Sequence, residues 1–418
     1  MLNPRHLRAF SAVAETGSIT KSSQTLRRAQ SAVTRAIQEL ERALGAELFE
    51  RHTHGMMLTD IGRALQLRVE RAQAEMSAAS AAFANDLADA RCVHNAPIFT
   101  FSIGRQRLLT YVELAEQHSI SAVSESLGVS QPAVSQTLRE IEDSVGVSLF
   151  RRTARGVMPT PLGAVLALHV RRSLNELRIA EDEISFLKDA GRGSVAVGSL
   201  SVGRARLLPD AITALLTRFP NLSVTTEEGT FEHLAARLRA GAIDFILGAL
   251  RPLEQTVGFT RKIIAHDTMS AVVRSGHPLL RRKRISAQGL RSVGWVLPPL
   301  GAPTRELVEA SFAQRHLGRP QVKVETADLA VTFGIVMQSD MVTAVSEHQF
   351  HLDLVAAGLQ VLPIELSKTR RPIGILQREG GIPSQAARRL IEILLNGGEA
   401  DRAGNESATY KSANKRSR

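Results

Sequence analysis

Cysteine is almost missing from this chain. Cys92 is the single one among 418 residues, which excludes an intrachain disulfide framework and any cysteine zinc cluster. Long apolar runs are missing too, so no stretch of about 18 residues could form a membrane span. The start, Met1-Leu2-Asn3-Pro4-Arg5-His6, lacks the apolar core of a secretory signal, and a reducing cytoplasm is the expected compartment. The nucleophile elbow Gly-x-Ser-x-Gly and the phosphate-cradling Gly-x-x-x-x-Gly-Lys-Ser/Thr are absent. His52-x-His54 and His348-x-x-His351 have too few partners for zinc. No catalytic residue, metal or cofactor is therefore predicted. What remains is a globular composition, 44% hydrophobic and 22% charged, long enough for two to four domains.

The net charge of +11 invites a nucleic-acid reading, but its distribution weakens that argument. Residues 1–190 carry 22 Lys+Arg against 21 Asp+Glu, and residues 191–418 carry 30 against 20. The basic runs Arg281-Arg282-Lys283-Arg284, Arg370-Arg371 and Lys415-Arg416-Ser417-Arg418 read as solvated faces or tail. Pattern has to decide.

A shift of 101 positions superimposes the first sixty residues on a second copy without a gap. Gln30-Ser31-Ala32-Val33-Thr34 meets Gln131-Pro132-Ala133-Val134-Ser135, and Glu39-Leu40-Glu41 meets Glu140-Ile141-Glu142. Gly45 meets Gly146, Leu48-Phe49-Glu50-Arg51 meets Leu149-Phe150-Arg151-Arg152, and Thr59 and Gly62 meet Thr160 and Gly163. Turn, core and polar positions all agree in one register, so the chain contains one module twice.

Apolar periodicity within each copy is helical. In the second copy Leu108, Tyr111, Val112 and Leu114-Ala115 stripe a first helix. Ser121 is the expected cap of a second helix burying Ala122-Val123 and Leu127, and Gly128 supplies the turn. Ser130 caps a third helix with Pro132 in its first turn. That helix buries Val134, Leu138 and Ile141 and leaves Gln131, Ser135, Gln136 and Arg139 outward. This is a helix-turn-helix pattern, whose last helix suits a DNA major groove. Gln can pair bidentately with adenine, and Ser or Thr can bond bases or phosphate. The segment Thr153–Thr160 reads as a hairpin wing that offers Arg152 and Arg155 to phosphate or the minor groove. A protein-interaction module with a wet polar face fits the helix pattern alone equally well.

These residues resemble the LysR-type transcriptional regulators. The second copy shows Ser130-Gln131-Pro132-Ala133-Val134-Ser135, Ile141-Glu142, Gly146, Leu149-Phe150-Arg151-Arg152 and Thr160-Pro161-Leu162-Gly163. The first shows Leu40-Glu41, Gly45, Leu48-Phe49-Glu50-Arg51 and Thr59-Asp60-Ile61-Gly62. Two tandem modules place the chain in a less common branch, since most members carry one. The resemblance implies DNA reading by Gln131, Pro132, Ser135, Gln136, Arg139, Arg152 and Arg155, and by Gln30, Ser31, Thr34, Arg35 and Arg51 in copy one. Copy one departs in having Ala29 where copy two has the cap Ser130, a loss of about 1 kcal/mol of helix stability. It has Arg28 for Val129 and His54 for Arg155, but offers Arg35, a guanine reader, where copy two has Gln136. Copy two is expected to be the main operator reader and copy one an auxiliary or degenerate one.

Leu65, Val69, Ala72, Met76, Ala79 and Phe83 recur at helical spacing after copy one. Val170, Leu177, Ala180, Ile184 and Leu187 do so after copy two, with one seven-residue step. Both are coiled-coil-like seams. The resemblance implies that residues 161–189 pair with their twin from a second chain; the other reading is a helix folded on its own domain. Residues 84–100 read as a connector in which Cys92 is an incidental thiol.

From residue 191 short strands and helices alternate. Gly193–Leu200, Leu222–Thr226 and Ala242–Leu250 read as strands, with helices Ala205–Phe219 and Phe231–Ala240 between them, a βαβαβ pattern with a parallel sheet. A second set follows from Thr268 to Val345, and Leu359–Ile364, Ile373–Arg378 and Pro383–Leu395 return the chain. The resemblance implies a periplasmic-binding-protein-like effector domain of two α/β subdomains, crossed near 268–274 and again near 345–360. Ligands of such sheets sit beyond the strand carboxyl ends, at helix N-termini. The candidates are Ser199, Leu200, Ser201, Val202, Thr230, Gly248 and Arg251, facing Pro298, Pro299 and a helix-capping Thr304. Trp295 either stacks on a ligand ring or belongs to the core. A sugar or an aromatic acid is the candidate effector.

The expected fold is thus two all-α winged helix-turn-helix domains plus a C-terminal α/β effector domain. The expected boundaries are 1–62 and 98–160 for the modules, 63–97 for helix and connector, and 161–190 for a dimerisation linker helix. Residues 191–266 and 346–396 form effector subdomain 1, 267–345 subdomain 2, and 397–418 a disordered tail. The expected function is sequence-specific transcriptional regulation tuned by a small molecule. Its partners are operator DNA, the effector, further copies as homodimer or homotetramer, and RNA polymerase as a candidate. The competing class is a cytoplasmic solute-binding or assembly protein without a DNA role; an enzyme is the third, which turnover of a bound solute would favour.

Overall fold

The computed structural model describes residues 2–52, 55–86, 95–188, 192–204, 206–282, 285, 287–346 and 358–397. Cys92, His54, His348, His351, Lys283, Arg284 and the terminal run Lys415–Arg418 lie outside them.

Each copy of the repeat folds into a three-helix head with a two-stranded wing. Head one comprises α1 (Pro4–Thr16), α2 (Ile19–Leu26), α3 (Gln30–Leu44), β1 (Phe49–His52) and β2 (Gly55–Leu58), and leads into the long helix α4 (Asp60–Asp86). Head two comprises α5 (Arg105–Gln117), α6 (Ile120–Leu127), α7 (Gln131–Val145), β3 (Phe150–Thr153) and β4 (Gly156–Pro159), and leads into α8 (Pro161–Lys188). Both wings are antiparallel hairpins. The shared residues have shared tasks. Glu41 accepts a hydrogen bond from the Leu48 N–H (2.9 Å) and Glu142 from Leu149 (2.7 Å), satisfying the chain where it turns into the wing. Phe10 packs on Phe49 and Tyr111 on Phe150, each at 5.4 Å between ring centres. Thr59 and Thr160 accept from the N–H of Gly62 and Gly163 at the start of the long helices. Those glycines are required, because a Cβ would lie 2.2 Å from the Leu48 oxygen and 2.0 Å from the Leu149 oxygen.

Sequence reading placed one cap wrongly. Ser119, not Ser121, caps α6 by accepting from the Ala122 N–H, and Ser121 lies inside the first turn. Ser130 does cap α7, through the Ala133 N–H, whereas Ala29 leaves the start of α3 without a side-chain cap. Head one has a second local weakness: α2 ends on Arg27 in the left-handed region (φ 51°), where head two has Gly128 (φ 63°). A side chain there meets the following carbonyl, a strain glycine escapes.

The long helices pack against each other within the chain. Arg68 meets Glu176 (2.9 Å) and Glu75 meets His169 (2.8 Å), so α4 and α8 run antiparallel. The expected seam residues Leu65, Val69, Ala72, Met76, Ala79 and Phe83 are buried with Leu166, Val170, Leu177, Ala180 and Ile184 in one core. Buried Ser173, the repeat partner of Ala72, fills the seven-residue step in α8, and Leu187 is exposed. Residues 161–189 were expected to pair with a twin from a second chain, with a helix folded on its own domain as the other reading; within this chain the contacts of α8 match the second. An apolar stripe requires a partner without specifying whose, and α4 of the same chain takes that place.

The C-terminal half forms two mixed five-stranded sheets. The first has strands β5 (Gly193–Ser199), β6 (Leu222–Glu228), β7 (Phe245–Ala249), β8 (Phe259–Asp267) and, from the chain's return, Arg371–Arg378, in the order β6-β5-β7-(371–378)-β8. Helix α9 (Leu207–Arg218) connects β5 to β6, and α10 (Phe231–Arg239) connects β6 to β7. The expected parallel pattern holds for β6-β5-β7, while the last two strands are antiparallel. Sequence reading missed β8, whose Thr260-Arg261-Lys262 stretch breaks any apolar run. The second sheet contains β9 (Met269–Arg274), β10 (Gly294–Leu297), β11 (Gln321–Glu325), β12 (Val342–Ser346) and β13 (Leu359–Glu365), in the order β11-β10-β12-β9-β13. Helix α11 (Pro303–Gln314) lies between β10 and β11 in the chain. Because β13 pairs with β9, the return crossing lies at residues 366–370 rather than near 345–360. The returning strand is β14 (Arg371–Arg378), followed by a helix over 385–397. At the crossing, the Met269 N–H donates to Thr369 (3.1 Å), and Arg371 pairs with buried Asp267 (3.1 Å).

Candidate nucleic-acid interface and ligand cleft

The candidate recognition surfaces are the outer faces of α3 and α7 with their wings. Gln131, Pro132, Gln136 and Arg139 lie exposed on α7, with Ser135 half-buried, and Arg152 and Arg155 exposed on the wing. Head one places Gln30, Ser31 and Arg35 in the same way, with Thr34 half-buried. Arg51 lies in β1 opposite Met56. Gln136 donates to Glu140 (2.9 Å), which also pairs with Arg107 (2.6 Å). Arg35 donates to Glu39 (2.9 Å), which meets His6 at 3.1 Å. His6 and Arg107 are repeat partners, so both heads hold a candidate reading side chain against a glutamate fixed from the first helix. The hydrogen bond from Arg35, aided by the fields of His6, Arg35 and Arg42, holds the Glu39 carboxyl below its usual range against some desolvation. The wings differ in charge. Head two presents Arg151, Arg152 and Arg155, and head one has Glu50 at the place of Arg151, with His52 against it (3.3 Å).

A cleft of about 650 Å³ opens between the two α/β subdomains, a volume suited to a small molecule. Of the expected residues it brings together Leu200, Ser201, Val202, Thr230 and Arg251 on one wall and Pro298 and Thr304 on the other. Three expected residues do not line it. Ser199 is buried behind Leu200, Gly248 lies beneath Leu200 where a Cβ would sit 2.5 Å from that side chain, and Pro299 is exposed in a turn. Thr304 does not cap α11; Ala302 occupies that position without a side-chain bond, and Ala302, Pro303 and Thr304 at this helix start line the cleft. Thr230 caps α10 through the His233 N–H. Trp295 is core: it is fully buried, edge-on to Phe312, and donates to the Leu290 carbonyl.

Arg371 was missed. Arg370-Arg371 reads as a solvated pair, yet Arg371 lines the cleft with its side chain 11% exposed. Its partner Asp267 also accepts from Ser346 (2.6 Å). Burial pulls the Arg371 guanidinium below its usual range, opposed by Asp267 and reinforced by the like charge of Arg251. Arg251 stacks over Phe231 at 5.3 Å and has a buried Nε with no hydrogen-bond partner. Asp267 pairs with Arg371 alone of the two guanidiniums, and Glu228 and Glu232 also line the cleft, on the wall opposite α11.

Between cleft and heads lies a buried charge network. Arg68, fully buried, pairs with Glu176 and Glu183 (2.6 Å) and donates to the carbonyls of Ile382 and Pro383. Burial opposes its charge, but hydrogen bonds and fields from Glu183 and then Glu176 outweigh that and raise its pKa. Arg378 at the end of β14 reaches both Glu75 (3.1 Å) and Glu176 (3.4 Å). Glu75 is pulled up by burial but held lower overall by His169, Arg172 and Arg378.

Comparison with known proteins agrees with this architecture. The profile of the bacterial regulatory helix-turn-helix protein, lysR family, matches residues 4–63 and again 106–164. The LysR substrate binding domain matches residues 188–399. The chain is 40% identical to the HTH-type transcriptional regulator GalR of Pseudomonas putida over 94% of its own length and 96% of the relative's. It is 31% identical to GbpR of Azospirillum brasilense over 69% of its length and 85% of that protein. The crystal structure of full-length CbnR complexed with its target DNA shares the fold, with a TM-score of 0.51 at 21% identity, covering 69% of this chain and 98% of that one. No helix among the described residues is long and apolar enough to cross a membrane. The chain belongs to the LysR family of bacterial helix-turn-helix transcriptional regulators.

Proposed function

We propose that this regulator binds operator DNA through its two heads under the control of a small anionic effector, an aromatic acid rather than a sugar, held between Arg251 and Arg371. The observation that carries this is the path of β14. Its first residue, Arg371, lines the cleft, and its last, Arg378, touches Glu75 and Glu176 on the two head-bearing helices. Eight strand residues span roughly 24 Å at about 3.4 Å each, so one rigid element joins ligand and helix pair. A carboxylate draws Arg251 and Arg371 together, supplements Asp267 and accepts from N–H groups at the start of α11. It shifts the heads only to the extent that it binds one arrangement of the subdomains better than the other.

Further copies associate through faces other than the α4–α8 seam, and the protein works in the cytoplasm. Titrating small carboxylates and neutral sugars into the protein bound to DNA from upstream of its coding region tests the reading. The expected result is an altered footprint with a carboxylate alone, lost in Arg371→Gln with the effector-free footprint kept. A footprint that responds equally to neutral sugars would overturn it.

A further inference from the structure

The contacts of the helix pair obey the same 101-residue shift as the sequence. Arg68 and His169 are repeat partners, as are Glu75 and Glu176 and also Arg71 and Arg172. Arg68 and Arg71 meet Glu176 (2.9 and 3.2 Å), and His169 and Arg172 meet Glu75 (2.8 and 3.6 Å). Residue i touching j while the partner of i touches the partner of j is the signature of a twofold interface, here closed inside one chain. The two heads are therefore related by a near-twofold rotation and sit at opposite ends of the pair. At about 1.5 Å per residue the 27-residue α4 separates the wing ends of the heads, where they enter α4 and α8, by roughly 40 Å, close to one turn of duplex DNA. The start of α1 meanwhile approaches the start of α5, Arg5 donating to the Ser102 carbonyl (3.0 Å). The reading surfaces of the heads are not alike. Head one offers Arg35 on its third helix and Glu50 on its wing, and head two offers Gln136 and Arg151 at the same places.

From this we infer that one chain reads two half-sites, inverted relative to each other and different in sequence, with one head on each. The inference rests on the DNA-binding reading above. Twofold rotation reverses the direction in which the second recognition helix enters its groove, which fixes the inversion. Arg35 favours guanine and Gln136 adenine, which makes the half-sites unlike. Because the heads differ, the chain lies on its operator in a single orientation, and the effector domain with it.

The experiment uses duplexes selected from a randomised library by the full chain, followed by hydroxyl-radical footprinting. Both pairs of substitutions are on the outer faces of their helices. The expected result is that Gln131→Ala with Gln136→Ala removes protection over one half-site only. Gln30→Ala with Arg35→Ala then removes it over the other, and exchanging the two half-sites reverses the bound orientation. Loss of both half-sites in the first variant with none in the second would show that two copies of head two read a symmetric site, and would overturn the inference while leaving DNA binding intact. Failure of the parent chain to enrich any sequence would instead overturn the DNA-binding reading itself.

Discussion

Head one and head two are the same fold built to different standards. Both keep the residues without which the fold cannot close: the glutamate under the wing, the threonine cap and the glycine of the long helix. They diverge where stability and charge are adjustable. Head two caps α7 with Ser130, ends α6 on Gly128 and carries three arginines on its wing, whereas head one has Ala29, Arg27 and Glu50 in the corresponding region. What closes the fold is common to both copies, while caps, turn and wing charge differ between them.

The largest difference between the two halves is expected at the seam. Arg68→Ala removes the one fully buried guanidinium that Glu176 and Glu183 share and leaves them to the more exposed Arg71, Arg378 and Arg388. Unfolding in urea should show a loss of about 3 kcal/mol, the low end for breaking a buried pair. His169→Ala, at the partner position, should lose about 1 kcal/mol or less because that end is only partly buried. Equal losses would remove the asymmetry between the two ends. On the DNA side, Gln131→Ala with Gln136→Ala should weaken specific binding by about 1–3 kcal/mol for each bidentate base pairing removed, measured at fixed salt. Gln30→Ala with Arg35→Ala should cost less, since the wing beside it carries an acid, Glu50, where head two has Arg151.

Smaller effects separate the heads more finely. Arg27→Gly and Ala29→Ser should each stabilise head one by about 1 kcal/mol, read as slower hydrogen exchange in α2 and α3 with head two unchanged. The smallest concerns acid. Glu75 is held below its ordinary carboxylate value of 4.5, so its contribution to the seam is complete above that pH and fades as the pH falls through the lowered value. Glu75→Gln should flatten the acid limb of an unfolding profile; an unchanged limb would mean that Glu75 adds nothing to acid stability.

Both heads were legible because their fixed points recur in one register, and each recurrence has a structural cause. The cap of α6 was misassigned because Ser119 and Ser121 both suit the position by residue type, and only backbone geometry separates them. The helix seam was legible as a stripe, but its partner was not, since apolar spacing carries no label of origin. Nothing in the sequence singles out Arg68, because its two carboxylates lie more than a hundred residues away. Arg371 escaped for the same reason: it reaches the cleft on an antiparallel return strand, beyond the reach of the βαβ logic that found Ser201, Thr230 and Arg251.

All of this depends on the two heads being joined by a seam within one chain. A short bis-maleimide applied to the dilute Glu75→Cys, His169→Cys protein, with Cys92→Ser to remove the natural thiol, probes that seam directly. An intrachain seam predicts a bridge between residues 75 and 169 in a product with the mass of one chain. A product with the mass of two chains, bridged at the same residues, would contradict it.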